Sequence, residues 1–278
     1  MKTWLITGCS SGLGRSLAEG ILRRGHKVVV TARNPETLKD LVAGYPNTAL
    51  AVALDVTNAE QVAHAINVAE DFFGGLDVLV NNAGYGYRAA VEEGDESEVS
   101  ALFATNVFGA IAMMKAVLPS MRARRRGTII NVSSIAAQWP PQGSGYYAAC
   151  KLALEGISQS LRREVEPLGI RVMIVEPGAF RTDFSGRSLQ QSAAAIADYA
   201  ETAGKRRKEN DKTHGTQPGD PARAAEILFS VVEGEELPVR LLLGSDALKI
   251  VGAEVQRHLE EIEAWRTVSE KTDFAAED

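Results

Sequence analysis

Tyr147 and Lys151 stand four residues apart in the run Tyr147-Ala148-Ala149-Cys150-Lys151. That separation puts two side chains on one helix face, one turn from each other. A phenol ordinarily titrates near ~10 and a lysine ammonium near ~10.4. A cation nearby favours the phenolate, so Lys151 is expected to draw the tyrosine pKa toward working pH. Tyr147 would then give a proton to a nascent alkoxide, or take one from an alcohol. Ser134 precedes Tyr147 by 13 residues (147 − 134) and follows an apolar run. Its hydroxyl is suited to hold a carbonyl oxygen while that oxygen gains charge. Ser133 stands beside it, but the spacing to Tyr147 favours Ser134. Cys150 sits inside the tyrosine–lysine turn without a neighbouring base to activate it, and reads as a small packed residue.

A second group of residues could hold a phosphate. Thr7-Gly8-Cys9-Ser10-Ser11-Gly12-Leu13-Gly14 lies between a predicted strand and a predicted helix. Glycines let the backbone turn sharply and approach a pyrophosphate, and the helix N-terminus offers free N–H groups with partial positive charge. The spacing is Gly-x-x-x-Gly-x-Gly rather than the commoner Gly-x-Gly-x-x-Gly. The next predicted strand ends Thr31-Ala32-Arg33, with Arg33 19 residues beyond Gly14 (33 − 14). A carboxylate at such a place would bind a ribose 2′-hydroxyl, whereas a guanidinium suits a 2′-phosphate. NADP(H) is therefore the expected cofactor, with NAD(H) as the alternative.

These residues need elements to position them. Apolar runs at Trp4–Thr7, Val28–Val30, Ala49–Leu54, Leu76–Val80, Thr128–Val132, Ile170–Val175 and Val239–Leu243 read as strands. Amphipathic stretches separate them: Gly12–Arg24, a segment opened by Asn34-Pro35, one opened by Thr57-Asn58-Ala59-Glu60, a long stretch through Leu102 to Met114 ending near Gly127, Tyr146–Val165, and one capped by Asp220-Pro221. Such alternation predicts an α/β fold, a doubly wound (Rossmann) parallel sheet of about seven strands with helices on both faces. Ligands of such sheets sit beyond the carboxyl ends of the strands, where strand order reverses. Nearly every unusual cluster here follows a strand.

At 278 residues, the chain suits one α/β domain, with a polar insertion at about 183–218 and a helical extension at about 246–278. Its net charge of −6 argues against a nucleic-acid partner. No apolar run approaches the ~20 residues of a membrane span. The start lacks a signal-peptide pattern, and Cys9 and Cys150 are the sole cysteines. Free thiols and a cytoplasmic location are expected. No metal site is assigned.

The ordered motifs make the chain similar to the short-chain dehydrogenase/reductase family. They are Thr7–Gly14, Asn81-Asn82-Ala83-Gly84, Asn106, Ser134, Tyr147-x-x-x-Lys151, and Pro177-Gly178 followed by Thr182. The resemblance implies that Tyr147 is the acid/base, that Lys151 holds the nicotinamide ribose and lowers the tyrosine pKa, and that Ser134 polarises the carbonyl. It implies that Asn106 supports a proton-relay water. Gly8, Ser10, Ser11, Gly12, Leu13 and Gly14 would cradle the phosphates. Asp55 and Val56 would line the adenine, Asn82, Ala83 and Gly84 the adenosine-ribose side, Thr182 would contact the carboxamide, and Pro177, Gly178 and Phe180 would also bind the cofactor. Ala32-Arg33 is similar to NADP(H)-preferring carbonyl reductases and hydroxysteroid dehydrogenases. Position 11 lacks the basic residue of some such forms, which leaves Arg33 to discriminate. A homodimer or homotetramer built from the long helices around Asn106 and Tyr147 is implied too.

Tyr85, Tyr87, Trp139 and Phe184 follow predicted strands and suggest an apolar pocket for a hydrophobic ketone, aldehyde or secondary alcohol. The basic runs Arg122–Arg126 and Lys205–Lys208 read as a helix end and a solvated helix face alternating with Glu209 and Asp211. The amphipathic stretch Leu248–Trp265 is expected to pack on the domain or a partner. Two other readings stay open: an NADP(H)-binding redox sensor without turnover, and an isomerase or dehydratase on the same fold.

Overall fold

The run Val28-Val29-Val30 is apolar without alternation because both faces of its strand are covered. Val28 and Val30 pack on one side with Trp4, Ile6, Val78 and Val80. Val29 packs on the other with Leu5, Leu79 and Ile129. The computed structural model describes residues 1–186, 188–208 and 215–274. The strands are β1 (Thr3–Ile6), β2 (Lys27–Ala32), β3 (Ala49–Ala53), β4 (Val78–Asn81), β5 (Gly86–Arg88), β6 (Gly127–Val132), β7 (Ile170–Pro177), β8 (Leu189–Gln191) and β9 (Arg240–Leu243). Seven of them form one sheet in the order β3-β2-β1-β4-β6-β7-β9, and every pairing in it is parallel. β5 and β8 form a separate parallel pair, which the sequence reading missed because each has three residues.

The helices are α1 (Gly12–Arg23), α2 (Lys39–Ala43), α3 (Ala59–Phe73), α4 (Glu96–Phe103), α5 (Ala110–Arg124), α6 (Gly145–Val165), α7 (Pro221–Glu233) and α8 (Ser245–Ser269). Leu17, Ile21 and Leu22 of α1 and Leu228 and Val232 of α7 cover one sheet face. Ile66 of α3, Met113 and Val117 of α5, and Leu154 and Leu161 of α6 cover the other. Strand order reverses between β1 and β4, so a crevice opens beyond their carboxyl ends.

Local details depart from the sequence reading. Asn58, not Thr57, caps α3, its side chain accepting from the Gln61 N–H, while the Thr57 hydroxyl bonds Asp55. The stretch expected as one long helix breaks into α4, a π-helical turn (Ala104–Gly109) and α5. Residues Glu96–Arg124 are together long and apolar enough to cross a membrane, contrary to expectation. In the fold, their Leu102, Val107, Met113, Met114, Val117 and Met121 are buried. Gly127 does not end α5; Arg125 does, in the left-handed region at φ 55°. Helix α8 buries only Ala247 and Val251, and Leu248, Val255, Leu259, Ile262 and Trp265 stay exposed. The part of the expected extension beyond residue 274 lies outside the described residues.

Candidate active site

A cleft of about 570 Å³ opens at the carboxyl ends of the central strands. Its floor is the turn between β1 and α1. Gly8 and Gly12 take φ of +74° and +64°, where a side chain would be strained. The Thr7 hydroxyl oxygen accepts from the N–H groups of Asn82 and Ala83, each at 2.9 Å. The Asn82 amide donates in return to the carbonyls of Thr7 and Gly8, at 2.8 and 3.0 Å. Together these bonds hold the turn against β4. Gly8, Ser10, Ser11, Gly12 and Leu13 line the cleft. Gly14 does not. A Cβ there would lie 2.6 Å from the Gly8 carbonyl oxygen and collide with the Asn82 amide. Its role is to let α1 approach the turn rather than to touch a ligand.

Ser11 begins α1 without a side-chain capping bond, so the first-turn N–H groups face the cleft uncapped. Arg33, Asp55, Val56 and Thr57 line the adjoining end. Hydrogen bonds from Thr57 hold the Asp55 carboxyl below the usual range, and the charge of Arg33 adds to this. Asn82, Ala83, Gly84, Pro177, Gly178, Phe180 and Thr182 also line the cleft, as the sequence reading expected. A Cβ on Gly12 would reach within 3.5 Å of Thr182, so the far wall closes against the turn. An uncapped helix start and a glycine cradle fit the pyrophosphate of a dinucleotide. Leu54, Ala101, Thr105 and Val132 are further wall residues that carry no sequence signal of their own.

Tyr147 occupies the first turn of α6 and Lys151 the next, and both are buried. The Lys151 ammonium donates to the Val132 carbonyl at 2.9 Å and lies 5.7 Å from the Tyr147 ring centre. Burial pulls Lys151 down to about 8. Burial pushes Tyr147 up to about 12, against a hydrogen bond from Ser134 and the charge of Arg88, which both lower it. The expectation that Lys151 draws the tyrosine down is corrected here. Desolvation outweighs the nearby charges, and the cation acting on the phenol is Arg88. Ser134, extended at the end of β6, accepts at its hydroxyl from the Ala136 N–H at 3.1 Å. Ser133 lines the cleft and Ser134 does not, but the Ser133 hydroxyl donates to Glu155 at 2.6 Å, whereas Ser134 is hydrogen-bonded to Tyr147.

Asn106 is buried in the π-helical turn and does not line the cleft. Its side chain brackets Tyr85, accepting from the N–H at 3.0 Å and donating to the carbonyl at 2.8 Å. A Cβ on Gly84 would sit 3.0 Å from the Asn106 Oδ1 and 3.6 Å from the Lys151 Nζ, so the three are neighbours.

Of the expected pocket aromatics, Tyr85 and Phe184 line the cleft, and the Phe184 ring lies 5.6 Å from that of Tyr147. Tyr87 does not. It is fully buried with Leu102, Val107 and Cys150, and its hydroxyl donates to Glu98 at 2.6 Å. Trp139 is 41% exposed and away from the cleft. Both follow strands in sequence, but Tyr87 alternates into the α4–α6 layer and Trp139 points outward. Ser188, Gln190 and Gln217 stand at the pocket instead, from the insertion whose pattern was least periodic.

Cys9 and Cys150 are free and buried, and burial raises each thiol to about 12. The basic run is not a wholly solvated face. Arg207 pairs with the buried Glu93 and donates to the Ala194 carbonyl. Glu209 and Asp211, expected to alternate with it, lie outside the described residues. Among the described residues no group of three or more His, Cys, Asp or Glu is arranged to hold a metal.

The short chain dehydrogenase family model matches residues 2–193. The chain belongs to that family. It is 38% identical over 269 residues to Oxidoreductase BOA17 of Botryotinia fuckeliana, covering 96% of this chain and 98% of that protein. A short-chain dehydrogenase from Streptomyces avermitilis superposes with a TM-score of 0.91 at 42% identity, covering 98% of this chain and all of that one. A metagenomic short-chain oxidoreductase in complex with NADP gives a TM-score of 0.69 at 26% identity, covering 87% of this chain and 96% of that one. The protein is thus an oxidoreductase of a family with solved members in complex with NAD or NADP.

Proposed function

We propose that the chain transfers hydride between NADP(H) and a hydrophobic ketone or aldehyde, or the corresponding secondary alcohol. The observation that carries this is the meeting of the buried Tyr147 and Lys151 in one corner of a cleft whose other end holds Arg33, with Ser134 hydrogen-bonded to the phenol. When bound, the nicotinamide supplies the hydride in reduction and accepts it in oxidation. The chain's own residues do the rest. Ser134 donates to the substrate carbonyl oxygen and holds it beside the phenol. Tyr147 gives its proton to that oxygen as the oxygen gains charge. Burial that keeps the phenol protonated favours this acid role, and therefore reduction, near neutral pH. Lys151 holds the nicotinamide ribose, and the charge of Arg88 steadies the phenolate left behind. Arg33 takes the 2′-phosphate, and the uncapped start of α1 takes the pyrophosphate.

The chain acts as one catalytic domain, with 183–218 as the substrate segment and 246–278 as an extension, in the cytoplasm. Exposed Phe108, Leu152 and Ile157 support assembly as a homodimer or homotetramer through the long helices. Tyr147→Phe tests the mechanism. Turnover of a ketone and alcohol panel, followed at 340 nm, is expected to fall roughly 10²–10⁴-fold while NADPH affinity stays within about threefold. Near-normal rates in that variant would overturn the assignment.

A further inference from the structure

Glu93 ends the short turn Val91–Glu93 between β5 and α4, and at 4% exposure it is a buried carboxylate. It has no part in proton or hydride transfer, yet both of its oxygens are engaged. Oε1 accepts from the Ile196 N–H at 2.8 Å. Oε2 accepts from the Ala90 N–H at 2.8 Å and from the Arg207 guanidinium. The second arm of Arg207 donates to the Ala194 carbonyl at 3.0 Å. The Glu93 backbone carbonyl accepts from the Ser192 hydroxyl, whose oxygen accepts in turn from the Ala194 N–H at 3.1 Å. Ser192, Ala194, Ile196 and Arg207 of the insertion therefore converge on one residue outside it.

The preceding part of the same insertion faces the cleft. Ser188 and Gln190 line it, as does Phe184, whose ring lies 5.6 Å from that of Tyr147. Gln190 stands two residues before Ser192 (192 − 190), and this stretch is paired to β5 through the three residues of β8. A two-stranded ribbon of that size is marginal by itself. The Arg207–Glu93 pair is of another kind, because its side chains are only 14% and 2% exposed. Removing one partner of a buried ion pair strands the other charge away from water, and that is the costly outcome. The insertion can relieve the cost locally, by lifting Arg207 into solvent and releasing Ala194 and Ile196 with it.

We propose that Glu93 is a positioning residue that fastens the insertion, so that Ser188, Gln190 and Phe184 stand as one wall of the substrate pocket. The cofactor end of the cleft is built on the turn between β1 and α1 and on the end of β2. Loss of the fastening therefore falls on substrate and spares the cofactor. This inference rests on the oxidoreductase reading above, which supplies the substrate that the wall would meet.

The test compares the full-length protein with Glu93→Gln, Arg207→Met and Arg207→Lys. Amide hydrogen exchange of peptides spanning 188–204 is expected to run roughly tenfold faster in Glu93→Gln and in Arg207→Met, with β1, β4 and β6 unchanged. Combining the two substitutions should add nothing to either alone, because the charges act as a unit. Arg207→Lys keeps the charge and should retain most of the protection. In turnover of the ketone and alcohol panel, the two charge-removing variants should raise KM for substrate roughly tenfold, with kcat and NADPH affinity within about threefold. Unchanged exchange over 188–204 overturns the proposal. So does acceleration spread across the whole sheet with weaker NADPH binding, which would make the pair a general prop of the fold. Faster local exchange with an unchanged KM overturns it as well, because the fastened wall would then not meet substrate. Exchange and NADPH titration need no turnover. If no panel member reacts while the local exchange pattern is as expected, the fastening stands and the reaction assignment falls.

Discussion

Arg33 stands exposed on the rim of the cleft at the end of β2, with the neutral Ala32 before it. A forked cation there rewards a 2′-phosphate and gives nothing to a free 2′-hydroxyl. Arg33→Asp is expected to lower the NADPH/NADH ratio of kcat/KM roughly hundredfold, from one lost charged hydrogen-bonding pair plus new repulsion. Steady-state kinetics with both cofactors check it, and an unchanged ratio would remove Arg33 from cofactor choice. Tyr147, Lys151 and Ser134 were legible from spacing alone. Their electrostatics were not, because the pair was judged as if in water. Buried together, the phenol rises to about 12 and the amine falls to about 8. Arg88, the cation that does act on the phenol, lies 59 residues away in sequence (147 − 88) and belongs to no motif.

The glycine turn shows how an element can depend on an atom that is missing. Alanine is a better helix former than glycine by about 1 kcal/mol, so Gly14→Ala should help α1 considered alone. A Cβ there meets the Gly8 carbonyl oxygen at 2.6 Å and the Asn82 amide, which two hydrogen bonds hold in place. Overpacking of that kind costs about 1–3 kcal/mol, and the clash wins. Gly14→Ala is expected to lower the urea midpoint and weaken NADPH binding at least tenfold, measured by denaturation and fluorescence titration. A variant as stable and tight-binding as the wild type would show that α1 can back away from β4. The π-helical turn Ala104–Gly109 is an element the sequence does not announce, since it lies inside one apolar stretch with no proline or glycine before Gly109 to mark it.

Across the whole molecule, α6, β7 and β9 are tied by a buried cluster in which Glu155 and Glu176 share Arg240 and Gln138. Burial first, and Glu155 second, push Glu176 up to about 7. The native state then keeps a proton that the unfolded chain has released above its ordinary range near ~4.3. The resulting stability is present below that range and is lost as pH rises through about 7, by roughly 2 kcal/mol with Arg240 screening the pair. Glu155→Gln removes the like charge, so its unfolding free energy should fall less than the wild type's between pH 5 and pH 8 in urea titrations. Parallel pH profiles would refute the coupling. The sequence alone determined the strand–helix alternation, the parallel sheet, the glycine turn and the placing of Tyr147 and Lys151 on one helix, because each depends on periods or spacings within a few residues or one strand end. Only the tertiary structure decided which aromatics face the cleft, that Ser133 serves Glu155, and that Arg88 bonds Ser144 at the start of the helix that carries Tyr147. Those outcomes depend on which side of a short strand meets which helix, and on a dielectric that exists only once the chain has closed around them.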